Sequence, residues 1–193
     1  MIFPGDCDVG KTTLLIAFTT KTTSSIKLSG IFEVYTGSVI VDSNRMDIDC
    51  WYTSPVDTAD ARRRHYCDAG AILICFAADD HQSFKNAKSK WYQEAYRYAP
   101  GVPVFLVKTK SDKFDAPSRG LVSPQMGEAA RDELGAIAYM ECSSYRSKES
   151  VQKVFETVAQ QTRTQVPASI SSQELLGELT CCSFLLSAVN YIL

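Results

Sequence analysis

The stretch of sequence that decides the fold is Gly5-Asp6-Cys7-Asp8-Val9-Gly10-Lys11-Thr12. It fits the pattern GxxxxGK[ST], and it lies between a short apolar strand, Met1–Phe3, and a helical pattern that places Leu14, Leu15 and Phe18 on one face. Backbone N–H groups in such a loop, with a helix N-terminus behind them, bind phosphate oxygens. The sequence therefore predicts a phosphate-binding loop here.

The motif also predicts roles for individual residues of this loop. Lys11 would reach the β- and γ-phosphates of a nucleotide, and the Thr12 hydroxyl would bind Mg²⁺. The other residues predicted to contact phosphate are Gly5, Asp6, Cys7, Asp8, Val9, Gly10 and Thr13. The alternative is a glycine-bounded turn with an unrelated lysine, and the strand before the loop and the helix after it disfavour that alternative.

The rest of the chain alternates strand-like and helical patterns, which favours an α/β fold with a mainly parallel sheet. Val34–Val41 and Met46–Trp51 flank a turn at Asp42-Ser43-Asn44, which predicts a hairpin. The continuous apolar runs Ala71–Ala77 and Val102–Val107 are typical of central parallel strands. Helices are predicted in the intervening segments, one of them beginning at Ser123-Pro124.

Composition limits the class of protein. The chain has 193 residues, a net charge of −2 and 45% hydrophobic residues, which predicts one globular domain with a tail and no nucleic-acid partner. Its seven cysteines show no metal-ligand spacing, so they are predicted to be reduced thiols of a cytosolic protein. The first residues lack the pattern of a signal peptide. The run Arg62-Arg63-Arg64 is interpreted as a solvated helix face.

Five segments together resemble a Rho-type small GTPase of the Ras superfamily, in order and in approximate spacing. They are GDCDVGKTTLLIAFTT, IFEVYTGSVIVD, ILICF with SFKNAKSKWYQE, FLVKTKSD and YMECSS. The resemblance implies a P-loop NTPase small G domain over residues 1–164 and a variable tail over residues 165–193. It implies a mainly parallel central sheet with one antiparallel edge hairpin, and helices on both faces.

The resemblance also implies a guanine site. Thr109-Lys110-Ser111-Asp112 resembles the NKxD element of the family, in which the aspartate accepts hydrogen bonds from the guanine N1–H and exocyclic amine, and the lysine packs on the base. Ser143 and Ser144 stand where the family has the Ser-Ala pair that contacts the guanine O6. Phe32 and Tyr35 resemble aromatic residues of the effector surface.

Several positions depart from the family pattern. In the first switch, Gly30 replaces the threonine that binds Mg²⁺ in the family, and Thr23 replaces the aromatic residue that stacks on guanine. In the second switch, Tyr52 replaces the aspartate linked to Mg²⁺, Pro55 replaces a glycine whose N–H meets the γ-phosphate, and Val56 replaces the glutamine that orients water. A shifted alignment on Asp57-Thr58-Ala59 is the less favoured alternative.

Two further departures concern the loop and the family's insert. Cys7 replaces a glycine, in the space that an activating arginine needs, and the linker from Asp112 to Ser123 is shorter than the Rho insert helix. No catalytic residue is therefore predicted to be intact, and the Mg²⁺ site, which keeps Thr12, is predicted to be weak.

Three functions stay open at this point: a GTP- and GDP-bound switch with slow hydrolysis, a pseudo-GTPase that binds proteins without cycling, and another P-loop enzyme such as a small kinase. The resemblance implies effector and regulator partners, namely an exchange factor and an activating protein. The chain ends without a prenylation box, and Cys181-Cys182 is a candidate for palmitoylation. The predicted location is the cytosol, with peripheral contact at the inner face of the plasma membrane left open.

Overall fold

The computed structural model describes residues 1–20, 26–29, 32–54, 57–115 and 121–165. For residues 26–29, 32–33, 114–115 and 164–165 it describes the backbone alone. The chain divides into a unit Met1–Thr162 and a unit Arg163–Leu193. Most of the second unit, including Cys181 and Cys182, lies outside the described residues, as do Thr23, Gly30, Pro55 and Val56.

A seven-stranded mixed sheet forms the centre of the described chain. Its strands are β1 Ile2–Phe3, β2 Ile26–Ser29, β3 Phe32–Val41, β4 Asn44–Tyr52, β5 Ile72–Ala77, β6 Val104–Thr109 and β7 Ala138–Glu141. Their order across the sheet is β2-β3-β4-β1-β5-β6-β7. The pairs β2/β3 and β3/β4 are antiparallel, and the remaining pairs are parallel.

Helices occupy the connections between strands. They are α1 Lys11–Thr19, α2 Ala59–Cys67, α3 His81–Asn86, α4 Tyr92–Tyr98, α5 Pro124–Leu134 and α6 Lys148–Gln165. A π-helical turn, Ala87–Trp91, joins α3 to α4, and a 3₁₀ turn, Ser111–Asp115, follows β6. No helix in the described ranges is both long and apolar enough to cross a membrane.

The sheet separates two apolar cores, because successive strand residues point to opposite faces. On one face, Leu73 and Cys75 of β5 pack with residues of α1 and α6, where the rings of Phe18 and Phe155 stack at 3.6 Å between centroids. On the other face, Ile72 and Ile74 pack with residues of α2, α4 and α5. The predicted fold class, with helices on both faces, is confirmed.

The hairpin between β3 and β4 is also confirmed, and its turn has a clear physical reason. Asp42 and Ser43 adopt φ values of 50° and 63°, the left-handed pair that suits a two-residue turn between twisted strands. The sequence did not indicate β2, which pairs with β3 and gives the antiparallel edge a third strand.

The interpretation of the arginine run as a solvated face is wrong for its first member. Arg63 and Arg64 are exposed, but Arg62 is 2% exposed and lies between α2 and α4. Its guanidinium donates from Nε and Nη2 to the two carboxylate oxygens of Glu94, each at 2.7 Å. A buried arginine is tolerated there because its charge is paired and its donors are used.

The carboxyl ends of the parallel strands position the functional residues. The phosphate-loop sequence follows β1, Thr109 ends β6, and Ser143 follows β7 by two residues. In an open α/β sheet, ligands bind outside this edge, because loops from neighbouring parallel strands meet there.

Candidate functional site

The backbone conformation of the loop between β1 and α1 requires glycine at position 5 and favours it at position 10. A Cβ added to Gly5 would lie 2.4 Å from the carbonyl oxygen of Cys75 in β5, so this close approach requires glycine. Gly10, which caps α1, has a left-handed φ of 90°. Asp8 also lies in the left-handed region, at φ 57°, which aspartate tolerates better than most residues.

Lys11 is folded back onto this loop. It is 4% exposed, and its Nζ donates to the carbonyl oxygens of Gly5 and Asp6 at 2.9 and 2.5 Å. An ammonium carries three N–H donors, so the two carbonyls leave capacity for a phosphate oxygen. Burial lowers the pKa of Lys11, and the neighbouring negative groups oppose that shift.

A cavity of about 240 Å³ lies above Lys11. The residues that line it are Asp8, Gly10, Lys11, Thr12, Thr13, Tyr52 and Lys110. The first N–H groups of α1 have no intrahelical partner and carry the positive end of the helix dipole, which favours an anion. We call this cavity the phosphate cavity.

Tyr52 occupies one wall of the phosphate cavity. It ends β4 beside Phe3, and the centroid of its ring is 5.7 Å from Nζ of Lys11. The ring therefore faces the lysine that the motif assigns to phosphate, at the position where the family pattern has a carboxylate. Asp57 lies beyond the end of β4 and is not among the described residues that line this cavity, and the alignment on Tyr52 stays a prediction.

Oxygen donors for Mg²⁺ line the phosphate cavity. They are the carboxylate of Asp8 and the hydroxyls of Thr12, Thr13 and Tyr52. Within the described ranges, no group of three or more His, Cys, Asp or Glu side chains could hold a metal ion. Mg²⁺ prefers six oxygens at near-octahedral geometry, and in nucleotide sites waters and phosphate oxygens supply most of them.

A second, larger cavity of about 480 Å³ lies beside the first. Its lining residues are Gly10, Thr13, Thr109, Lys110, Asp112, Lys113, Ser144 and Tyr145. Three of these, Gly10, Thr13 and Lys110, also line the phosphate cavity. We call it the base cavity, because its polar groups suit a flat heterocycle with donors on one edge.

The carboxylate of Asp112 is oriented by a neighbouring loop. The Ser143 hydroxyl donates to Oδ1 of Asp112 at 2.6 Å, and it accepts from the backbone N–H of Arg146 at 3.0 Å. The backbone N–H of Ser111 donates to the carbonyl oxygen of Cys142 at 3.1 Å. These bonds join the loops after β6 and β7 and hold Asp112 as an acceptor in the base cavity.

Thr109 and Lys110 connect the base cavity to the phosphate loop. The Thr109 hydroxyl lies within hydrogen-bond distance of the carbonyl oxygens of Val9 and Phe76. Lys110 has a left-handed φ of 53°, and its Nζ is 3.5 Å from Oδ1 of Asp79. This backbone geometry places the lysine side chain along both cavities.

The predicted site residues divide into those that line a cavity and those that support one. Of the predicted phosphate contacts, Asp8, Gly10, Lys11, Thr12 and Thr13 line the phosphate cavity. Gly5, Asp6, Cys7 and Val9 do not; Cys7 is exposed and the side chain of Val9 lies in the core. Of the predicted guanine contacts, Thr109, Lys110, Asp112 and Ser144 line the base cavity, and Ser143 supports Asp112.

The prediction of an effector surface is wrong for the side chain of Tyr35. Tyr35 is 3% exposed and lies in the core on the face of α1 and α6, because its position in β3 points inward. The side chain of Phe32 lies outside the described residues.

Sequence reasoning missed three contributors to the site. Tyr145 and Lys113 line the base cavity, and each directly follows a predicted residue, so extending the motifs by one position would have found them. Tyr145 is 91% exposed. Trp91 donates from Nε1 to Oδ1 of Asp6 at 2.8 Å, and no sequence signal links residues that are 85 positions apart.

The fold and the two cavities define the class: a nucleotide-binding domain with a phosphate loop between the first strand and the first helix. Comparison with known proteins identifies the family within this class. The family model described as the Ras family matches residues 1–164. The GTP-binding protein rho1 of Schizosaccharomyces pombe is 32% identical over 167 residues, which cover 81% of this chain and 82% of the relative.

A second relative gives the same result. The GTP-binding protein RHO1 of Candida albicans is 34% identical over 166 residues, covering 81% of this chain and 83% of the relative. The chain belongs to the Ras family of small GTPases and is of the Rho type. This membership disfavours the small kinase as an alternative.

Proposed function

We propose that this chain is a Rho-like switch protein that binds GTP and GDP and hydrolyses GTP slowly. The observation that carries the proposal is the base cavity, in which Asp112 is oriented by Ser143 beside Lys110. A carboxylate can accept two hydrogen bonds from the N1–H and exocyclic amine of guanine, and adenine cannot offer that pair. The two cavities share lining residues, which supports the binding of one nucleotide with its base in the base cavity and its phosphates in the phosphate cavity.

Binding of the phosphates would depend on Lys11 and on the backbone N–H groups at the start of α1. Both features are retained in this chain, although the ring of the substituted residue Tyr52 lies 5.7 Å from Nζ of Lys11. Thr12 is the residue of this chain that would hold Mg²⁺, which neutralises phosphate charge when it is bound. Because its remaining family ligands are substituted, the proposal assigns the metal a small share of nucleotide affinity.

Slow hydrolysis follows from the chemistry of the substituted side chains. Phosphoryl transfer needs a positioned water and donors to the γ-phosphate, with little covalent work by the protein. Valine at position 56 has no polar atom to orient a water, and proline at position 55 has no N–H to donate. Losing one preorganised donor typically costs about 10²–10³ in rate, and losses that share one geometry do not simply multiply.

A single-turnover assay with radiolabelled GTP tests slow hydrolysis. The proposal predicts that phosphate release is at least about a hundredfold slower than from a Rho protein with intact switches. Val56→Gln alone should not restore the rate, because the other donors stay absent. Release at the ordinary Rho rate would refute the alignment of the second switch.

A second candidate function is a protein-binding pseudo-GTPase that does not change state with its nucleotide. The packing of Tyr52 towards Lys11 favours it, since this ring occupies a wall that the γ-phosphate would approach. Hydrogen exchange on protein loaded with GDP or with a non-hydrolysable GTP analogue separates the two functions. A switch shows different protection around β2–β4 in the two states, and a pseudo-GTPase shows the same protection.

The partners follow from family membership alone. We propose an effector, an exchange factor and an activating protein as partner classes. An arginine supplied by an activating protein accelerates hydrolysis about 10³–10⁵-fold where it fits. The exposed thiol at Cys7 makes that fit poor in this chain. The cytosolic location, peripheral membrane contact and lipid attachment at Cys181-Cys182 stay predictions.

A further inference from the structure

Asp6 is held from two directions, although it lines neither cavity. Its backbone carbonyl accepts from Nζ of Lys11 at 2.5 Å. Its carboxylate accepts from Nε1 of Trp91 at 2.8 Å and from Nδ2 of Asn86 at 2.6 Å. The residue that supports the phosphate-binding lysine is therefore fixed by the helical segment that runs through α3, the π-helical turn and α4.

Trp91 is the buried member of this arrangement. It is 0% exposed, so its indole N–H needs a partner, and Asp6 supplies one. Two cations lie near its ring: Nζ of Lys90 at 4.1 Å from the centroid and the guanidinium carbon of Arg62 at 5.0 Å. A cation near the ring and a carboxylate at the N–H both match the charge distribution of indole.

Arg62 connects Trp91 to residues of the second switch. Besides its bidentate pair with Glu94, it donates from Nη1 to the carbonyl oxygen of Ser54 at 3.3 Å and to that of Asp57. The backbone N–H of Asp57 also donates to the carbonyl oxygen of Ser54 at 3.2 Å. One guanidinium thus holds the described residues on either side of the substituted positions 55 and 56.

We propose that Trp91 is a positioning residue for the phosphate loop, and that Trp91 and Arg62 couple this loop to Ser54 and Asp57. The coupling runs from Lys11 through Asp6, Trp91 and Arg62, and every step is a contact between buried or partly buried groups. Trp91 acts through Asp6 and touches no nucleotide. The inference rests on the proposed function, because it assigns a role in binding the phosphates.

The first test removes the indole N–H of Trp91 and keeps an aromatic ring at this position. Trp91→Phe should weaken GDP and GTP binding about tenfold, because the hydrogen bond lost has a charged acceptor and Asp6 is left less constrained. Binding of guanosine, which has no phosphates, should change less than twofold. The matched control is Trp51→Phe, at the other tryptophan, which stacks on His65 at 5.0 Å; it should leave all three affinities unchanged.

Comparing guanosine with GDP distinguishes a positioning role of Trp91 from general damage to the fold. Equal weakening of guanosine and GDP in Trp91→Phe would show a merely structural role and would overturn the proposal, as would unchanged GDP affinity. If the unmutated protein binds no guanine nucleotide, the proposed function fails and this inference fails with it. Normal binding by the unmutated protein together with an unaffected Trp91→Phe variant overturns this inference alone.

The second test keeps Trp91 and uses it as the reporter, so its first readout does not depend on a tolerated core substitution. The chain has two tryptophans, and Trp51→Phe leaves Trp91 as the only one. Saturating GDP should change the emission of Trp91, and saturating guanosine should not. Adding Arg62→Met together with Glu94→Gln, which leaves no unpaired carboxylate buried, should reduce the GDP-induced change by at least half. Emission that is unaffected by GDP would contradict the coupling.

Discussion

Single residues decide what the site can bind. Asp112, Lys11 and Thr12 keep the chemical groups that the family uses, and the structure brings them to two adjoining cavities. Asp8 and Tyr52 both line the phosphate cavity, where Asp8 contributes a carboxylate and Tyr52 a ring 5.7 Å from Nζ of Lys11. The site therefore combines a base cavity that contains Asp112 and Lys110 with a phosphate cavity that Tyr52 alters.

Asp112 should determine the choice of guanine over adenine. Asp112→Ala removes two hydrogen bonds to the base, each worth about 1.5–3 kcal/mol because the acceptor is charged. Competition binding with GDP and ADP should therefore show a loss of at least a hundredfold in GDP affinity and little preference between the two. Asp47→Ala, an exposed acid on β4, is the control for the change of charge. Equal affinities for ATP and GTP in the unmutated protein would contradict the guanine assignment.

Asp8 should weaken triphosphate binding more than diphosphate binding. Its carboxylate lines the phosphate cavity and repels each added negative charge. Asp8→Asn keeps a residue that tolerates a left-handed backbone and removes the charge, so it should tighten GTP binding about three- to tenfold and GDP binding less. Displacement of a fluorescent nucleotide measures both. Weaker GTP binding in the variant would instead make Asp8 a ligand for phosphate-bound metal.

At the scale of elements, the sequence predicted those parts of the fold that depend on local patterns. The turn residues Asp42 and Ser43 indicated the hairpin, the cap residue Ser123 indicated the start of α5, and the apolar runs indicated β5 and β6. It did not reveal β2 or the π-helical turn at Ala87–Trp91, because apolar spacing does not distinguish that turn from an α-helix.

The same limit applied to the site. A motif reports neighbours along the chain, so the phosphate loop and Asp112 could be predicted. The contact between Arg62 and Glu94 joins α2 to α4 across 32 positions, and three consecutive arginines differ in environment only after α2 has packed. The surface role predicted for Tyr35 is wrong because strand residues alternate between the faces of the sheet, and Tyr35 faces the core.

Arg62 should be a major contributor to the stability of the fold. Arg62→Met leaves Glu94 buried with an unpaired charge, a change that typically costs about 3–5 kcal/mol. Arg63→Met, at the exposed neighbour, should change the free energy of unfolding by less than about 0.5 kcal/mol. Urea denaturation measures both. Adding Glu94→Gln to Arg62→Met should recover part of the loss; equal effects of the two arginine substitutions would refute the buried pair.

We predict that the nucleotide affinity of this Rho-type fold depends little on metal. Chelation of Mg²⁺ with EDTA should therefore accelerate GDP release less than it does in rho1 of Schizosaccharomyces pombe purified alongside. The reason is that Tyr52 replaces the aspartate that is linked to Mg²⁺ in the family. Thr12 is the metal ligand of the motif that remains. A large acceleration would show that another residue, such as Asp8 or Asp57, supplies the missing oxygen.

We predict that this chain binds guanine nucleotides in its two cavities and keeps GTP unhydrolysed for long periods. The most direct measurement is the identity of the nucleotide released by denaturing protein that was purified in Mg²⁺ without added nucleotide. We expect close to one guanine nucleotide per chain, with a larger share of GTP than in the Schizosaccharomyces pombe relative. Adenine nucleotide, or no guanine nucleotide even after incubation with excess GDP, would show that the two cavities do not form a guanine-nucleotide site.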